Sequence, residues 1–345
     1  MIRDVSYRVA VLRKGGEVSA LSWAAGNDPT VYFDASGEIK SSFSGEFYVN
    51  PIVDLLSDEI QPILTVDGTE YPLGVFRAAT VTTAVTKYGK TVKVEAYDRC
   101  WLLKSNKTQT RVHYAKGTSY LTVVQQILTA CGVALAITTA SAATIATDRE
   151  DWEIGTEYLT IINALLSEIN FSDIWFDFDG VAHLEKYEAP SSSNIDREYR
   201  DDEYSIITPE YTEEMDIYEA PNVFIVNVSN PDYDEPMTAT GVNDSMISAL
   251  STVRRGRRIL ATPVELDNIE SQAALQQYAD NLAIKSMFAT QKIKFYTAIN
   301  PAHGVGDVIA LYNGELVGVY EETDWKIEVR PGALMEHQAK KVVFV

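Results

Sequence analysis

Hydrophobic and polar positions alternate along Lys87–Leu103, KYGKTVKVEAYDRCWLL, where Val92, Val94 and Ala96 interleave with Lys93, Glu95 and Tyr97. Period two marks a strand with one buried and one wet face. The preceding run, Val75–Val85, alternates as well, with Val81, Thr83 and Val85 on one face, and Tyr88-Gly89 reads as a turn. The two runs predict a long antiparallel hairpin closed at Lys87–Lys90. Beyond it, Cys100-Trp101-Leu102-Leu103 reads as an apolar plug that ends a β-rich first region. Earlier strands are predicted at Val5–Leu12, Val18–Trp23 and Ile39–Phe47, with turns at Gly15-Gly16, Gly26–Pro29 and Ser36-Gly37. Pro51–Leu56 reads as one helical turn, and Asp67-Gly68 joins Ile63–Val66 to Glu70–Val75.

The period changes at Ser105. Thr118 is placed to cap a helix with Leu121, Val124, Leu128 and Cys131 on one face, and Gly132 stands where a terminating glycine belongs. Thr156 is placed to cap a second helix carrying Ile161, Ile162, Leu165, Leu166 and Ile169, followed by a hairpin, Ile174–Phe178 and Val181–Tyr187, over Asp179-Gly180. This region reads as a small α+β module that buries a core of its own. Pro190–Asn194 is a linker, and an acidic run, Asp196–Glu203, follows it. Strands resume at Tyr204–Ile207 and Val223–Val228. Asp267 is placed to cap a third helix, Ile269–Met287, with Ala274, Tyr278 and Leu282 along one stripe. Strands are then predicted at Lys292–Ile299, Asp307–Tyr312, Leu316–Tyr320, Lys326–Val329 and Lys340–Val345. No repeat is visible residue by residue.

Composition narrows the function more than the fold. The chain has 345 residues, enough for two or three domains, and is 46% hydrophobic and 23% charged. A formal charge of -20 repels nucleic acid and anionic lipid. Cationic partners or plain solubility would account for it, and solubility is the default reading. Cys100 and Cys131 both sit in apolar contexts and read as two buried free thiols, in keeping with assembly in a reducing cytoplasm. The N-terminus lacks the apolar core of a signal peptide, and no run approaches a membrane span, so no membrane insertion is expected.

The search for chemistry returns little. His113, His183, His303 and His337 are scattered, with no second histidine at a metal-ligand spacing, so no metal site is assigned. Nucleophile-elbow and phosphate-loop motifs are absent, and Gly304-Val305-Gly306 precedes a strand rather than a helix. Asp151-Trp152-Glu153 and Trp175–Asp179 set carboxylates beside aromatic rings as glycosidases do, but 49 carboxylates make such coincidences common. Asp232, Asp234 and Glu235 fit no calcium loop. No catalytic residue and no cofactor site are assigned. Arg254-Arg255-Gly256-Arg257-Arg258 is the one dense basic run; it reads either as a wet loop or as a subunit contact formed by Arg254, Arg255, Arg257 and Arg258 with carboxylates of this chain or a neighbour.

The hairpin ending in VEAYDRCWLL resembles the first domain of bacteriophage tail baseplate hub proteins. GTSYLTVVQQILTACG, the helix AALQQYADNLA, the strand ending in INPAHGVGDVIAL and the strand after RPGALMEHQAKKVV are similar to the same family, with relatives in contractile injection systems. The resemblance implies an α+β, mainly β fold, with two tube-like β-barrel domains and an inserted small α+β domain. The expected boundaries are 1–104, 105–200 and 201–345. It further implies a homotrimeric ring adapting a sixfold tail tube to a threefold spike or tip, located in the virion tail and assembled in the host cytoplasm, through whose channel DNA passes without specific binding. Some members carry a lytic domain; the closing strand KKVVFV leaves no room for one, and an enzyme is not expected. A receptor- or carbohydrate-binding tail module, exposing Trp23, Trp152 or Trp175, and a cell-wall glycosidase are the competing readings.

Overall fold

The computed structural model describes residues 4–24, 26–87, 89–133, 136–150, 152–191, 193–203, 205–215, 220–229, 236–266, 268–269, 271–287, 291–304 and 306–342. The first region is all strand: β1 Val5–Arg13, β2 Gly16–Leu21, β3 Thr30–Asp34, β4 Ser41–Tyr48, β5 Glu59–Val66, β6 Thr69–Pro72, β7 Phe76–Thr86 and β8 Gly89–Tyr97. Next come α1 Cys100–Ser105, α2 Tyr120–Ala130, β9 Ala136–Thr138, α3 Tyr158–Glu168, β10 Trp175–Phe176 and β11 Ala182–Leu184. After β12 Arg197–Arg200 and β13 Ile207–Met215, the chain forms β14 Val223–Val228, β15 Met237–Val242, α4 Thr252–Arg255, β16 Val264–Leu266 and α5 Gln272–Met287. It closes with β17 Gln291–Ala298, β18 Val308–Asn313, β19 Leu316–Glu328 and β20 Leu334–Lys341. The protein is an α+β chain, mainly β.

The predicted hairpin is β7–β8, paired from Arg77↔Tyr97 to Thr86↔Gly89. Its alternation decides which face is dry: Val92, Val94 and Ala96 are buried, whereas Lys93 and Glu95 are exposed. β3, β9, β12, β15 and β16 have no counterpart among the predicted strands. β3 is short and follows a Pro-containing turn, and the predicted Leu316–Tyr320 and Lys326–Val329 fall at the two ends of one 13-residue strand, β19. The last strand, β20, starts at Leu334, earlier than expected, and 343–345 lie outside the described residues.

These strands form a 14-stranded sheet ordered β13-β17-β20-β19-β3-β4-β8-β7-β5-β1-β2, with β6 on β5 and β18 linking β12 to β19. The central junction is antiparallel pairing of β19 with β3, from Asp324↔Asp34 to Glu328↔Thr30. One core crosses that junction: Phe43 stacks on Phe47 and Phe76, while Trp325 of β19 stacks on Phe33 of β3 at 5.4 Å. Burying such rings is the largest apolar contribution a sheet face makes.

The helical module has a separate core around Tyr120, Val124, Leu128, Ile162 and Leu166. The apolar plug predicted at Cys100–Leu103 is helix α1, and Cys100 and Leu103 are buried in this core. Ser119, not Thr118, precedes α2, and Val123 and Ile127 join its buried face, while Leu121 and Cys131 are only half-buried. Glu157, not Thr156, precedes α3. Between β13 and β17 lies a second excursion: a three-stranded sheet, β15-β14-β16, covered by α5. The buried stripe of α5 is Leu275, Ala279 and Ala283, one residue on from the predicted Ala274, Tyr278 and Leu282, because the helix lies close against β15 and small side chains face it. The predicted cap Asp267 lies outside the described residues.

Candidate assembly surfaces and a buried polar cluster

β5 leaves β7 after pairing only with Phe76 and Arg77. From Ala78 to Thr86 the outer edge of β7 carries no strand among the described residues. That stretch has no charged residue, and Val81 and Val85 are 41% and 78% exposed. Proteins ordinarily blunt such an edge with charge, proline or a cover. At the other end of the run, β13 also carries no strand on its outer side among the described residues, but there Glu210, Glu213 and Glu214 are exposed. The tip of the β7–β8 hairpin carries Lys87 and Lys90 instead.

The four arginines do not form one uniform patch. Ser251 Oγ accepts the Arg254 backbone N–H at 3.2 Å to start α4, and Gly256 at φ +63° ends it. Arg255 is half-buried and donates to the Ala220 carbonyl at 2.7 Å, so it braces its own loop. Arg254, Arg257 and Arg258 are exposed, close in sequence to Met246, Ile247, Val253 and Leu260, each more than half exposed. The surface is therefore basic and apolar together.

The glycosidase-like clusters are structural where they are described. Trp152 is buried, with the Arg149 guanidinium 4.4 Å above its ring; Asp151 lies outside the described residues. Arg149 is itself buried and donates to both oxygens of Glu168 at 2.7 and 2.8 Å. Asp177 accepts the Asp179 and Val181 backbone N–H groups of its own turn, and Trp175 stacks on His183 at 3.9 Å. Asp232, Asp234 and Glu235 lie outside the described residues. Both cysteines are free, Cys100 fully buried and Cys131 half-buried, so the expectation of two buried thiols holds for Cys100 alone. A cleft of about 680 Å³ lies between the helical module, α5 and β19, where Lys285 Nζ sits 4.3 Å from the Tyr187 ring and burial pulls its pKa down.

The histidines are not all scattered. His303, after β17, and His337 of β20 meet at Glu322 of β19, and all three side chains are buried. His303 Nδ1 is 2.6 Å from Glu322 Oε2, and His337 Nδ1 is 2.5 Å from Oε1. Each outer nitrogen faces a hydroxyl: His303 Nε2 meets Tyr199 Oη, and His337 Nε2 is 2.8 Å from Thr297 Oγ1. Asn300 Nδ2 donates to Tyr199 Oη at 3.1 Å, and Asp307 Oδ2 stands 3.5 Å from His303 Nδ1. Burial pushes Glu322 up to about 7, His303 down to about 4, and His337 down as well. Linear spacing missed this group because two strands and a loop bring its members together; the trace in the sequence is a strand position, Glu322, occupied by a carboxylate.

No family model matches the sequence. No curated protein matches it either. Solved structures do match along nearly the whole chain. A tail protein of Neisseria meningitidis superposes with a TM-score of 0.68 at 14% identity, covering 97% of each chain. The chain has the fold of a phage tail protein. A 43 kDa tail protein of the Shewanella oneidensis prophage MuSo2 gives 0.66 at 8% identity, covering 97% of this chain and 98% of that one. A type VI secretion component of E. coli, described as structurally similar to the T4 tail proteins gp27 and gp5, gives 0.51 at 10% identity, covering 100% of this chain and 74% of that one. The mainly β tail-protein fold agrees with the fold class that the hub-like motifs imply.

Proposed function

We propose that the chain is a structural hub of a phage-type tail, a homotrimeric ring that joins a sixfold tail tube to a threefold spike or tip. The observation that carries this reading is the order of eight strands in the large sheet. β3-β4-β8-β7 and β13-β17-β20-β19 are two antiparallel four-strand runs, and each visits its positions in the chain order first, second, fourth, third. The β19–β3 junction joins the runs inside the chain, which leaves β7 and β13 as the outer strands of this eight-strand stretch, β7 being followed in the sheet by β5 only at Phe76 and Arg77. Repeating that junction between copies pairs β7 of one protomer with β13 of the next. A head-to-tail contact of this kind closes into a ring when its rotation divides the full circle, and a step of one third of the circle closes it at three copies. Three chains then supply six equivalent four-strand runs around one axis, which matches a sixfold tube, while the chain count matches a threefold spike.

Charge agrees with the pairing: a neutral edge with a lysine tip meets an edge rich in glutamate. The wet face of the runs alternates sign, as in Lys294–Glu336 at 2.7 Å and Lys93–Glu95 at 3.8 Å. Such a face offers no continuous basic track, so DNA would pass without being held. The tail-protein neighbours support placement in a virion tail, assembled in the host cytoplasm, and a structural rather than catalytic role. Light scattering on the purified chain, alone and with tube protein, tests the reading. A species of three times 38.3 kDa is expected. Assembled tails holding six copies, or one, would overturn it.

A further inference from the structure

We propose that His303, Glu322 and His337, with Asp307 beside them, bind one divalent transition-metal ion of the zinc class. One ring nitrogen of each histidine and a Glu322 oxygen lie within 4.8 Å of one another, on a loop and two adjacent strands. Two imidazole nitrogens with carboxylate oxygen form a donor set that suits zinc and its neighbours rather than calcium or magnesium. Glu322 and Asp307 bring two carboxylates into the interior, and one dication neutralises both. Among the described residues, their ion-pair partners are the two imidazoles and Arg197, whose Nε is 3.6 Å from Asp307. A cation close by is what holds a buried carboxylate in its ionised form.

The outer contacts match the same chemistry. Metal-bound imidazoles hold their second nitrogen on an oxygen that fixes the ring. Here Tyr199 Oη, steadied by Asn300, and Thr297 Oγ1 occupy those places. At 2.6 and 2.5 Å the Nδ1–Glu322 contacts are hydrogen bonds. Ligands of one tetrahedral zinc stand roughly 3.3–3.5 Å apart. Binding therefore opens each contact by about 1 Å or less and moves each imidazole proton from Nδ1 to Nε2, where the hydroxyl oxygen accepts it. Asp307 and the part-exposed Arg197 give the solvent side from which an ion enters. The ion would clamp β19 to β20 and to the loop that carries His303, beside the irregularity in β19 between Glu322 and Asp324.

The full-length protein, stripped with a chelator and dialysed, is titrated with Zn²⁺ alone, while bound metal is counted by plasma mass spectrometry and melting is followed in parallel. One ion per chain is expected, with Tm rising by several degrees at about 100-fold excess over Kd. Asp307→Asn, which keeps the side chain's shape, should weaken binding about 10-fold or more, and Glu322→Gln should abolish it. The wild-type titration needs no variant to fold. Wild-type protein that retains no zinc and melts unchanged would overturn the proposal and leave a proton-sharing network. Stoichiometric zinc retained by Glu322→Gln would equally overturn it.

Discussion

The carbonyl of Ala279 lies so close to Gly241 that a Cβ added there would stand 1.9 Å from its oxygen. Helix α5 therefore rests on β15 by backbone contact, and the small residues of its buried stripe follow from that. Gly241→Ala cannot be absorbed by turning a side chain, because the opposing atoms are main chain. Ordinary overpacking costs about 1–3 kcal/mol; this substitution should reach the upper end or exceed it. Urea unfolding would show the loss, and a variant within about 0.5 kcal/mol of wild type would show that α5 shifts freely.

The Arg149–Glu168 pair is buried in the helical module, with Tyr120 Oη also donating to Glu168 at 2.7 Å. Removing one member strands a charge, so Arg149→Met should cost about 3–5 kcal/mol. Arg149→Met combined with Glu168→Leu should recover part of that loss. Thermal unfolding of the three proteins measures it; equal losses in the single and double variants would mean that shape, not charge, decides the site.

Much of this fold is legible in the sequence because local alternation and tight turns determine it. The β7–β8 and β10–β11 hairpins fall where Tyr88-Gly89 and Asp179-Gly180 place them. What period-two reasoning does not reach is who sits next to whom across the chain. Nothing local announces that β3 pairs with β19, or that Leu316–Tyr320 continues into Lys326–Val329 as a single strand. The stripe of α5 was misplaced by one residue for a related reason: a contact with Gly241 favours alanine over the larger side chains that periodicity prefers. The His303–Glu322–His337 group is the extreme case, since its members lie 19 and 15 residues apart and meet only through β19–β20 pairing and the loop after β17.

Asp98 is fully buried, accepting the Cys100 N–H at 2.8 Å and the Ser41 N–H at 2.7 Å. Burial raises its pKa above the ordinary carboxylate value of 3.8, although both hydrogen bonds oppose the shift. A carboxyl with a raised folded pKa binds more protons folded than unfolded between the two values, so its contribution to stability falls as pH rises through that window. Relative to Asp98→Asn, which does not titrate, the wild type should gain stability as pH is lowered toward 3.8. Denaturant midpoints of both proteins between pH 4 and 7 test the sign; a difference growing in the opposite direction would contradict it.

Among the four arginines, Arg255 is tied to Ala220 whereas Arg254 and Arg258 are exposed. Arg254→Ser with Arg258→Ser should leave unfolding nearly unchanged and weaken self-assembly or docking to tube protein. Arg255→Ser should lower stability by about 1 kcal/mol through its lost hydrogen bond. Unchanged assembly in the double variant would return the run to a wet loop.

The β7 edge separates a ring-former from a lone tail domain. A strand pairs with another chain when its backbone groups are open and its flanking side chains tolerate a neighbour, and charge on those side chains is how proteins prevent it. Val81 and Val85 are exposed, although Val81 stands opposite the core residue Val94, so Val81→Lys with Val85→Lys should change monomer stability by about 1 kcal/mol or less. The same change sets two ammonium groups beside any arriving strand. Against the glutamates of β13 some attraction would survive, so Val81→Glu with Val85→Glu is the sharper variant: it confronts Glu210, Glu213 and Glu214 with like charge. If β7 meets β13, the glutamate pair should abolish the trimer while the lysine pair only weakens it, and added salt should narrow the gap between them. Equal loss in both variants would place some other neutral strand at β7. Intact trimers in both would remove β7 from the interface altogether.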